Sequence, residues 1–388
     1  MQRTKEEPGM KVGHFSESYR PCVDGVATFI QDFVPQLDSL GFRGLVYTST
    51  PGRKENNVRR IRSLPFPFYS NYWVSYFWIR QYARLAREDE IQLVHIHTPF
   101  MAGVGGILAS KEMSIPVLGT FHSNFTNMAR AMGSTPYIYF VSDLFNRFGV
   151  GVYNRCQLVT APTESEREFL VRSGLKTPVE IVPPGVRLSQ LVSEKGRIDF
   201  RSRLKIPDHA KIILYLGRLT VDKGVYLLLD SFKGLVSRSN VYLIYAGLGP
   251  ELKALRKEAS RSKWARRVMV LGYVKENHKA SLISQADVVV LPSRGDTFGL
   301  SLAEGMALER VVVASNRGGL RDWVKDGFNG LVFDYGKKGD LLKKIEYALS
   351  TDLSDMTKKA SSWALNTIDI SATAKRFAEI YQRLIHES

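Results

Sequence analysis

Three observations predict an α/β chain of two doubly wound domains. Short apolar, β-branched runs alternate with helical periodicity along most of the sequence, the pattern of a largely parallel sheet with crossover helices. A polar stretch after Gly185 interrupts that alternation, which restarts at residues 211–217. Glycines and polar residues cluster at the carboxyl ends of the predicted strands, the edge where open α/β sheets bind ligands. A chain of 388 residues has room for two such domains, read as residues 1–185 and 186–370, with a closing helix at 371–388.

In the first half, residues 11–15 read as a strand that ends in the polar loop SESYRPCVDGVA, and residues 26–40 as the helix behind it, stopping before Gly41. Gly25 lies where a loop of this kind brings backbone close to a ligand; the alternative is a turn glycine. Residues 44–48, 93–97, 116–122, 158–163 and 179–182 read as further strands. His97 and His122 each close one of them at its carboxyl end. If residues 75–88 are helical, Arg80, Arg84 and Arg87 share one stripe, and Trp73 and Phe77 extend it toward the start. Rings above a basic row suit a helix lying in a lipid interface, against the alternative of a surface helix whose aromatics pack inward. Residues 136–153, also aromatic, either line a groove or belong to the core, and core is the expectation.

In the second half, the strand at 211–217 runs into Gly217-Arg218-Leu219-Thr220-Val221-Asp222-Lys223-Gly224 and the helix 225–235. A planar guanidinium and a mobile ammonium on one loop suit a diphosphate. Residues 241–250 form another strand ending in glycines, and the end of the strand 268–274, near Tyr273 and Val274, is placed to meet a planar base. Residues 287–292 read as a buried strand, followed by the loop holding Asp296 and a helix starting near Phe298-Gly299-Leu300. The unpaired N–H groups of that helix start favour a phosphate. Glu304, one to two turns further on, is placed to accept the hydroxyls of a ribose, and Asp296 faces whatever lies beyond the phosphate.

Composition limits the function classes. Hydrophobic content of 44% and charged content of 24% are those of a soluble globular protein. No apolar run reaches the ~18–20 residues a spanning helix needs, and the opening MQRTKEEPG lacks the apolar core of a secretory signal, so a cytoplasmic chain is expected. Cys22 and Cys156 form no metal or disulfide pattern. The net charge of +16 points to an acidic partner: phosphorylated metabolite, anionic lipid or nucleic acid.

The ordered series DGVA, PVLGTFH, PPGV, LGRLTVDKG, AGLGP, LGYV and PSRGDTFGLSLAEGMA resembles the retaining glycosyltransferases of family GT4, which have the GT-B fold. That resemblance implies two Rossmann-like domains facing across a cleft. The acceptor belongs to the first, the nucleotide sugar to the second, and the last helix crosses back. It implies Arg218 and Lys223 as diphosphate ligands, Gly25 as backbone that the donor phosphate approaches, Glu304 as the ribose ligand and His122 as a donor-sugar contact, to which the residue reading above adds the backbone at Phe298, Gly299 and Leu300 for phosphate, Tyr273 and Val274 for the base and Asp296 for the sugar. His122, Asp296, Arg218 and Lys223 are the expected catalytic set. No cofactor and no metal are expected, and the donor is a UDP- or GDP-hexose. The first acid of the carboxylate pair is usually Glu in this family, whereas here it is Asp296, one methylene shorter.

The run RIRSLPFPFYSNYW with the arginine-rich helix after it resembles the glycolipid-forming branch, the diacylglycerol glucosyltransferases and phosphatidylinositol mannosyltransferases. It implies a lipid acceptor and a peripheral place on the inner face of the cell membrane. The alternatives are a soluble enzyme acting on a small sugar or polysaccharide and, remotely, a basic nucleic-acid-binding protein; the paired sites speak against nucleic acid as partner.

Overall fold

Two parallel sheets organise the chain in the computed structural model, which describes residues 9–22, 24–65, 72–122, 136–237, 239–261 and 264–387. The chain divides into two units: the first runs to Gly185 and takes up the chain again at Ile370, and the second is Val186–Asp369.

In the first unit β1 (Met10–Ser16), β2 (Phe42–Thr48), β3 (Val58–Arg60), β6 (Leu93–Ile96), β7 (Val117–Thr120), β8 (Leu158–Ala161) and β9 (Val179–Ile181) form one sheet. Their order is β3-β2-β1-β6-β7-β8-β9, and neighbours are parallel. β6, β7 and β8 are buried along their whole length, so they read as continuous apolar runs rather than alternating ones. Helices cover both faces. Phe29, Ile30 and Phe33 of helix Gly25–Asp38 pack with Phe377, Ile380 and Tyr381 of the final helix Ile370–His386 on one face. Tyr82, Ala83 and Ala86 of helix Ile79–Glu88 pack with Ala102 and Ala109 of helix Met101–Met113 on the other. The final helix is also held by Glu180, whose carboxylate meets Arg376 at 3.4 Å and also Arg383.

The second unit repeats the plan with β10 (Lys211–Leu216), β11 (Val241–Ala246), β12 (Val268–Gly272), β13 (Val288–Leu291), β14 (Val311–Ser315) and β15 (Leu331–Phe333) in the order β12-β11-β10-β13-β14-β15, again all parallel. β13 and β14 are valine-rich and buried throughout. In both sheets the strand order reverses once, between β1 and β6 and between β10 and β13. Crevices of doubly wound proteins open beside the carboxyl ends of the strands at such a reversal.

The segment with the arginine stripe differs from the expectation. Trp73 is not helical: β5 (Trp73–Val74) pairs antiparallel with β4 (Leu64–Pro65), and a 3₁₀ turn, Tyr76–Trp78, precedes helix Ile79–Glu88. Residues 66–71, part of the resembling run, lie outside the described residues.

Candidate active site

The reversal in the second sheet gathers most of the charged groups singled out above. After β10 the chain passes Gly217 and Arg218, makes a 3₁₀ turn at Val221–Lys223, and enters helix Val225–Leu235. This loop is clamped to the loop after β13. Gly224 has φ +74°, and a Cβ there would stand 2.0 Å from the Pro292 carbonyl oxygen, so only glycine allows the approach. Arg294 N–H donates to the Asp222 carbonyl at 2.8 Å. The clamp brings Lys223 Nζ to 2.6 Å from Asp296 Oδ2, both largely buried. Burial would raise the Asp296 carboxyl, but the Lys223 ammonium and the N–H groups of Phe298 and Gly299, at 3.4 and 3.1 Å, hold it below its ordinary value.

Arg218, on the same loop, is exposed and has no ion-pair partner among the described residues. Tyr215 fixes its backbone by donating to its carbonyl at 2.6 Å. Helix Leu300–Ala307 follows with Gly299 at its cap position and no side chain capping its first turn. The N–H groups of Phe298 and Gly299 are engaged by Asp296, and the Phe298 ring is stacked on Trp323 at 4.7 Å, inside the core. Of the three residues expected to offer backbone to a diphosphate, Leu300, at the open end of the helix, is the one whose N–H is not held by Asp296.

Glu304 is buried and receives Lys279 Nζ at 2.6 Å; the same ammonium meets Glu276 at 2.7 Å. Burial raises the Glu304 carboxyl against the lowering effect of Lys279. Lys279 escaped the sequence reading because it sits on helix Glu276–Ser284, in no motif, twenty-five residues before its partner. Tyr273 is exposed and Val274 half-buried just past the end of β12, the outer strand of the sheet. Three cations and three acids therefore lie at one edge, with Lys223 bound to Asp296, Lys279 bound to Glu304 and Glu276, and Arg218 open. Cations of this kind bind phosphate as well as carboxylate oxygens, which is the chemistry a diphosphate site uses.

The first sheet carries a different set. Gly25 opens helix Gly25–Asp38, whose cap Asp24 accepts from Val26 and Ala27 N–H, both at 2.9 Å. A Cβ at Gly25 would meet nothing within 4 Å, so packing does not require glycine there. His122 follows β7 and is half-buried; its Nε2 lies 3.0 Å from His97 Nδ1. His97 Nε2 in turn lies 3.0 Å from His14 Nδ1. His95 bonds Tyr381 OH and Thr120 Oγ1, both at 2.6 Å. Burial lowers all four imidazoles, His14 to about 3 and His122 to about 4. His14, His95 and His97 are near enough to share a metal ion, each offering a nitrogen within 4.8 Å of the others. His95 and His97, however, have both ring nitrogens in hydrogen bonds, and His14 has one.

Glu17, which the sequence reading passed over in its polar loop, is buried in the loop after β1. Its carboxylate accepts from Thr98 and, at 2.5 Å, from Ala102 N–H at the start of helix Met101–Met113; burial raises it to about 7. Arg80, Arg84 and Arg87 are exposed along one face of helix Ile79–Glu88, with Phe77 exposed before it and Trp73 half-buried on β5. The core reading of residues 136–153 is corrected: on helix Pro136–Tyr153, Phe140, Leu144, Phe145 and Phe148 are exposed, while Val150, Val152 and Tyr153 are buried.

Comparison with known proteins decides the family. Residues 23–190 match the model described as Glycosyltransferase Family 4, and residues 196–366 the model described as Glycosyl transferases group 1. The chain belongs to the GT4 glycosyltransferases. This GT4 enzyme is similar to an alpha-monoglucosyldiacylglycerol synthase of Streptococcus pneumoniae, 27% identical over 381 residues, with 96% of this chain and 85% of that protein covered. It is also similar to the protein of the same name from Acholeplasma laidlawii, 26% identical over 360 residues and covering 87% of each. Among solved structures, sucrose-phosphate synthase from Thermosynechococcus elongatus matches with a TM-score of 0.78 at 19% identity, covering 98% of this chain and 100% of that one. Anabaena Alr3699/HepE in complex with UDP-glucose matches at 0.75 with 20% identity, covering 96% and 100%. The fold of this GT4 chain is GT-B. Among the described residues, no helix is long and apolar enough to cross a membrane.

Proposed function

We propose that this GT4 enzyme moves a hexose, with retained anomeric configuration, from a UDP- or GDP-sugar to a hydroxyl of a membrane lipid. The observation that carries the donor half is the Lys223–Asp296 pair, 2.6 Å apart at the reversal of the second sheet, with Arg218 open beside it. In this reading Arg218, Lys223 and the N–H groups at the start of helix Leu300–Ala307 take the diphosphate. Glu304 takes the ribose hydroxyls, backbone near Tyr273 and Val274 takes the base, and Asp296 and His122 take the sugar. As the bond from C1 to the diphosphate oxygen breaks, its electron pair passes to the leaving group, whose charge the three donor groups stabilise. The acceptor oxygen bonds to C1 from the side of the departing group and gives its proton to a phosphate oxygen. No step is routed through a metal or an enzymic base.

The names of the relatives support a lipid acceptor, as do the exposed Arg80, Arg84 and Arg87 beside Tyr76 and Phe77. Guanidinium groups on lipid phosphates and rings among headgroups would hold the enzyme on an anionic membrane, peripherally on its inner face. Two measurements test this. A thermal-shift series with UDP, GDP, ADP and their sugar conjugates is expected to show stabilisation by UDP or GDP and its hexose conjugate, because a ligand bound to the folded state raises its melting temperature; no response to any nucleotide overturns the donor half. Sedimentation with anionic but not neutral vesicles, abolished by Arg80→Glu/Arg84→Glu/Arg87→Glu, is expected for the lipid half. Indifference to vesicle charge, with transfer to a soluble sugar, overturns it.

A further inference from the structure

His14, His97 and His122 form a row in which each ring is hydrogen-bonded to the next at 3.0 Å, and the rings of each bonded pair stack with centroids 5.3 Å apart. Burial keeps all three neutral. A neutral imidazole carries one N–H and one bare nitrogen. Each of the two links needs one proton, and His97, in the middle, has one to give. Only two arrangements satisfy both links. In the first, His14 Nδ1–H donates to His97 Nε2, His97 Nδ1–H donates to His122 Nε2, and His122 is left with its proton on Nδ1. In the second every proton is reversed: His122 Nε2–H and His97 Nε2–H donate inward, His14 carries its proton on Nε2, and His122 Nδ1 is bare.

The far end of the row separates the two. His14 Nε2 is buried and has no hydrogen-bond partner. Its surroundings toward Gly44 are apolar: a Cβ built on that glycine would lie 2.6 Å from Val34 Cγ1 and 3.2 Å from the ring nitrogen, and no polar atom of the described residues stands between. In the second arrangement an N–H would be buried there with no acceptor among the described residues, an orphaned donor of the kind folded proteins avoid. In the first, what is buried is a bare lone pair, and an unused acceptor is tolerated better than an unused donor.

We propose that His14 and His97 are positioning residues that hold His122 as the Nδ1–H tautomer, so that His122 offers a hydrogen-bond donor, not an acceptor, to an oxygen of the transferred sugar. The tautomer follows from the row alone; its use toward a sugar rests on the proposed function. No described residue bonds His122 Nδ1, which leaves that donor for a ligand.

The test is long-range proton–nitrogen NMR on the full chain labelled with ¹⁵N-histidine, with His122 signals assigned by their loss in His122→Asn. The wild type is expected to show His122 with a protonated Nδ1 and a bare Nε2. A protonated Nε2 overturns the proposal. His97→Phe, which keeps a ring but removes both links, is expected to give a mixture of His122 tautomers. It is also expected to lower kcat for transfer in proportion to the Nδ1–H population lost, about twofold for an even mixture, while the Kd of UDP or GDP is unchanged. A single Nδ1–H tautomer in His97→Phe also overturns it. If His97→Phe does not fold, His14→Phe and the wild-type spectrum decide. If His122 is Nδ1-protonated but no nucleotide sugar supports transfer, the proposed function fails and the row stands.

Discussion

The two sheets share a topology and differ in what stands at the point where strand order reverses. Between β10 and β13 the groups are charged and held in pairs, Lys223 with Asp296 at 2.6 Å and Lys279 with Glu304 at 2.6 Å, with Arg218 open. Between β1 and β6 they carry little charge: burial lowers His14, His95 and His97 so that they stay neutral, and raises Glu17 to about 7, where it is only partly ionised. A buried ion pair holds the Lys223 ammonium in a fixed place, so a phosphate entering beside it meets a cation already positioned. A row of neutral rings cannot neutralise a phosphate, but it fixes where single protons point. The same fold thus presents one edge suited to gripping charge and another suited to orienting hydroxyls.

The largest expected effect breaks the charged edge. Lys223→Ala removes a cation proposed to face the leaving group and leaves Asp296 buried without its partner. Transfer, as kcat/KM, is expected to fall about a thousandfold, and stability to urea by about 3 kcal/mol. Arg218→Ala, at an exposed side chain with no acid partner, is expected to lower transfer but leave the urea midpoint where it was. The double variant Lys223→Ala/Asp296→Ala should recover most of the lost stability and none of the activity. Equal urea midpoints for Lys223→Ala and Arg218→Ala would remove the distinction between a paired and an open cation.

How much of this edge was legible in the sequence follows from the physics of each part. The strand β13 was, because its valine run is buried throughout, and so was the helix start after Gly299; β14, equally valine-rich and buried, was not read. Arg218, Lys223, Asp296 and Glu304 stood out as charges at strand ends, yet that Lys223 and Asp296 touch depends on β10 and β13 being neighbours, a fact of strand order and not of spacing. Lys279 was invisible for the same reason. Trp73 was misplaced because helical periodicity was extended back through a pair of two-residue strands too short to show a period of their own. On helix Pro136–Tyr153 periodicity alone could not say which aromatics face solvent, and Phe140 and Phe148 do. The histidines at positions 95 and 97 share a face by the two-residue repeat of a strand, but His14 joins them only through the pairing of β1 with β6.

A smaller effect separates the two edges by acid. The four imidazoles are lowered on folding, so below pH 6.5 the unfolded chain binds protons that the folded one refuses; their stability is present above that pH and is lost as pH falls toward 4. Glu17 acts with the opposite sign: raised to about 7, it favours the folded state increasingly as pH falls from 7 to its unfolded value near 4.5, and so offsets about one of the four protons. Asp296 is lowered, and its contribution is lost only below its ordinary value of 3.8. Glu304, also raised, acts in the same sense as Glu17, and with four imidazoles against two carboxyls the net stability is expected to fall as pH goes from 7 to 5. Hydrogen exchange read by mass spectrometry at pH 7 and pH 5 is expected to show protection lost first in β1, β6 and β7, with β10 and β13 retained. Simultaneous loss in both sheets would contradict the assignment of charge to one edge and neutrality to the other.

The smallest effect on the fold is expected at Gly25, and it asks whether the neutral edge also meets the donor. Nothing within 4 Å of a Cβ there would resist it, and its φ is not among the positive values, so Gly25→Ala is sterically free at the first position of a helix. Replacing glycine by alanine at a compatible site stabilises by about 0.4–1 kcal/mol, chiefly by restricting the unfolded chain. If the glycine serves only the turn, the variant should be slightly more stable and fully active. If it leaves room for a phosphate to approach backbone, the variant should gain that stability while KM for the nucleotide sugar rises severalfold and kcat changes little. The methyl group then occupies space the donor needs, and the gain in stability with the loss in donor binding distinguishes a ligand contact from a packing one. Neither a buried residue nor a capping residue would give that combination, because replacing either one costs stability first.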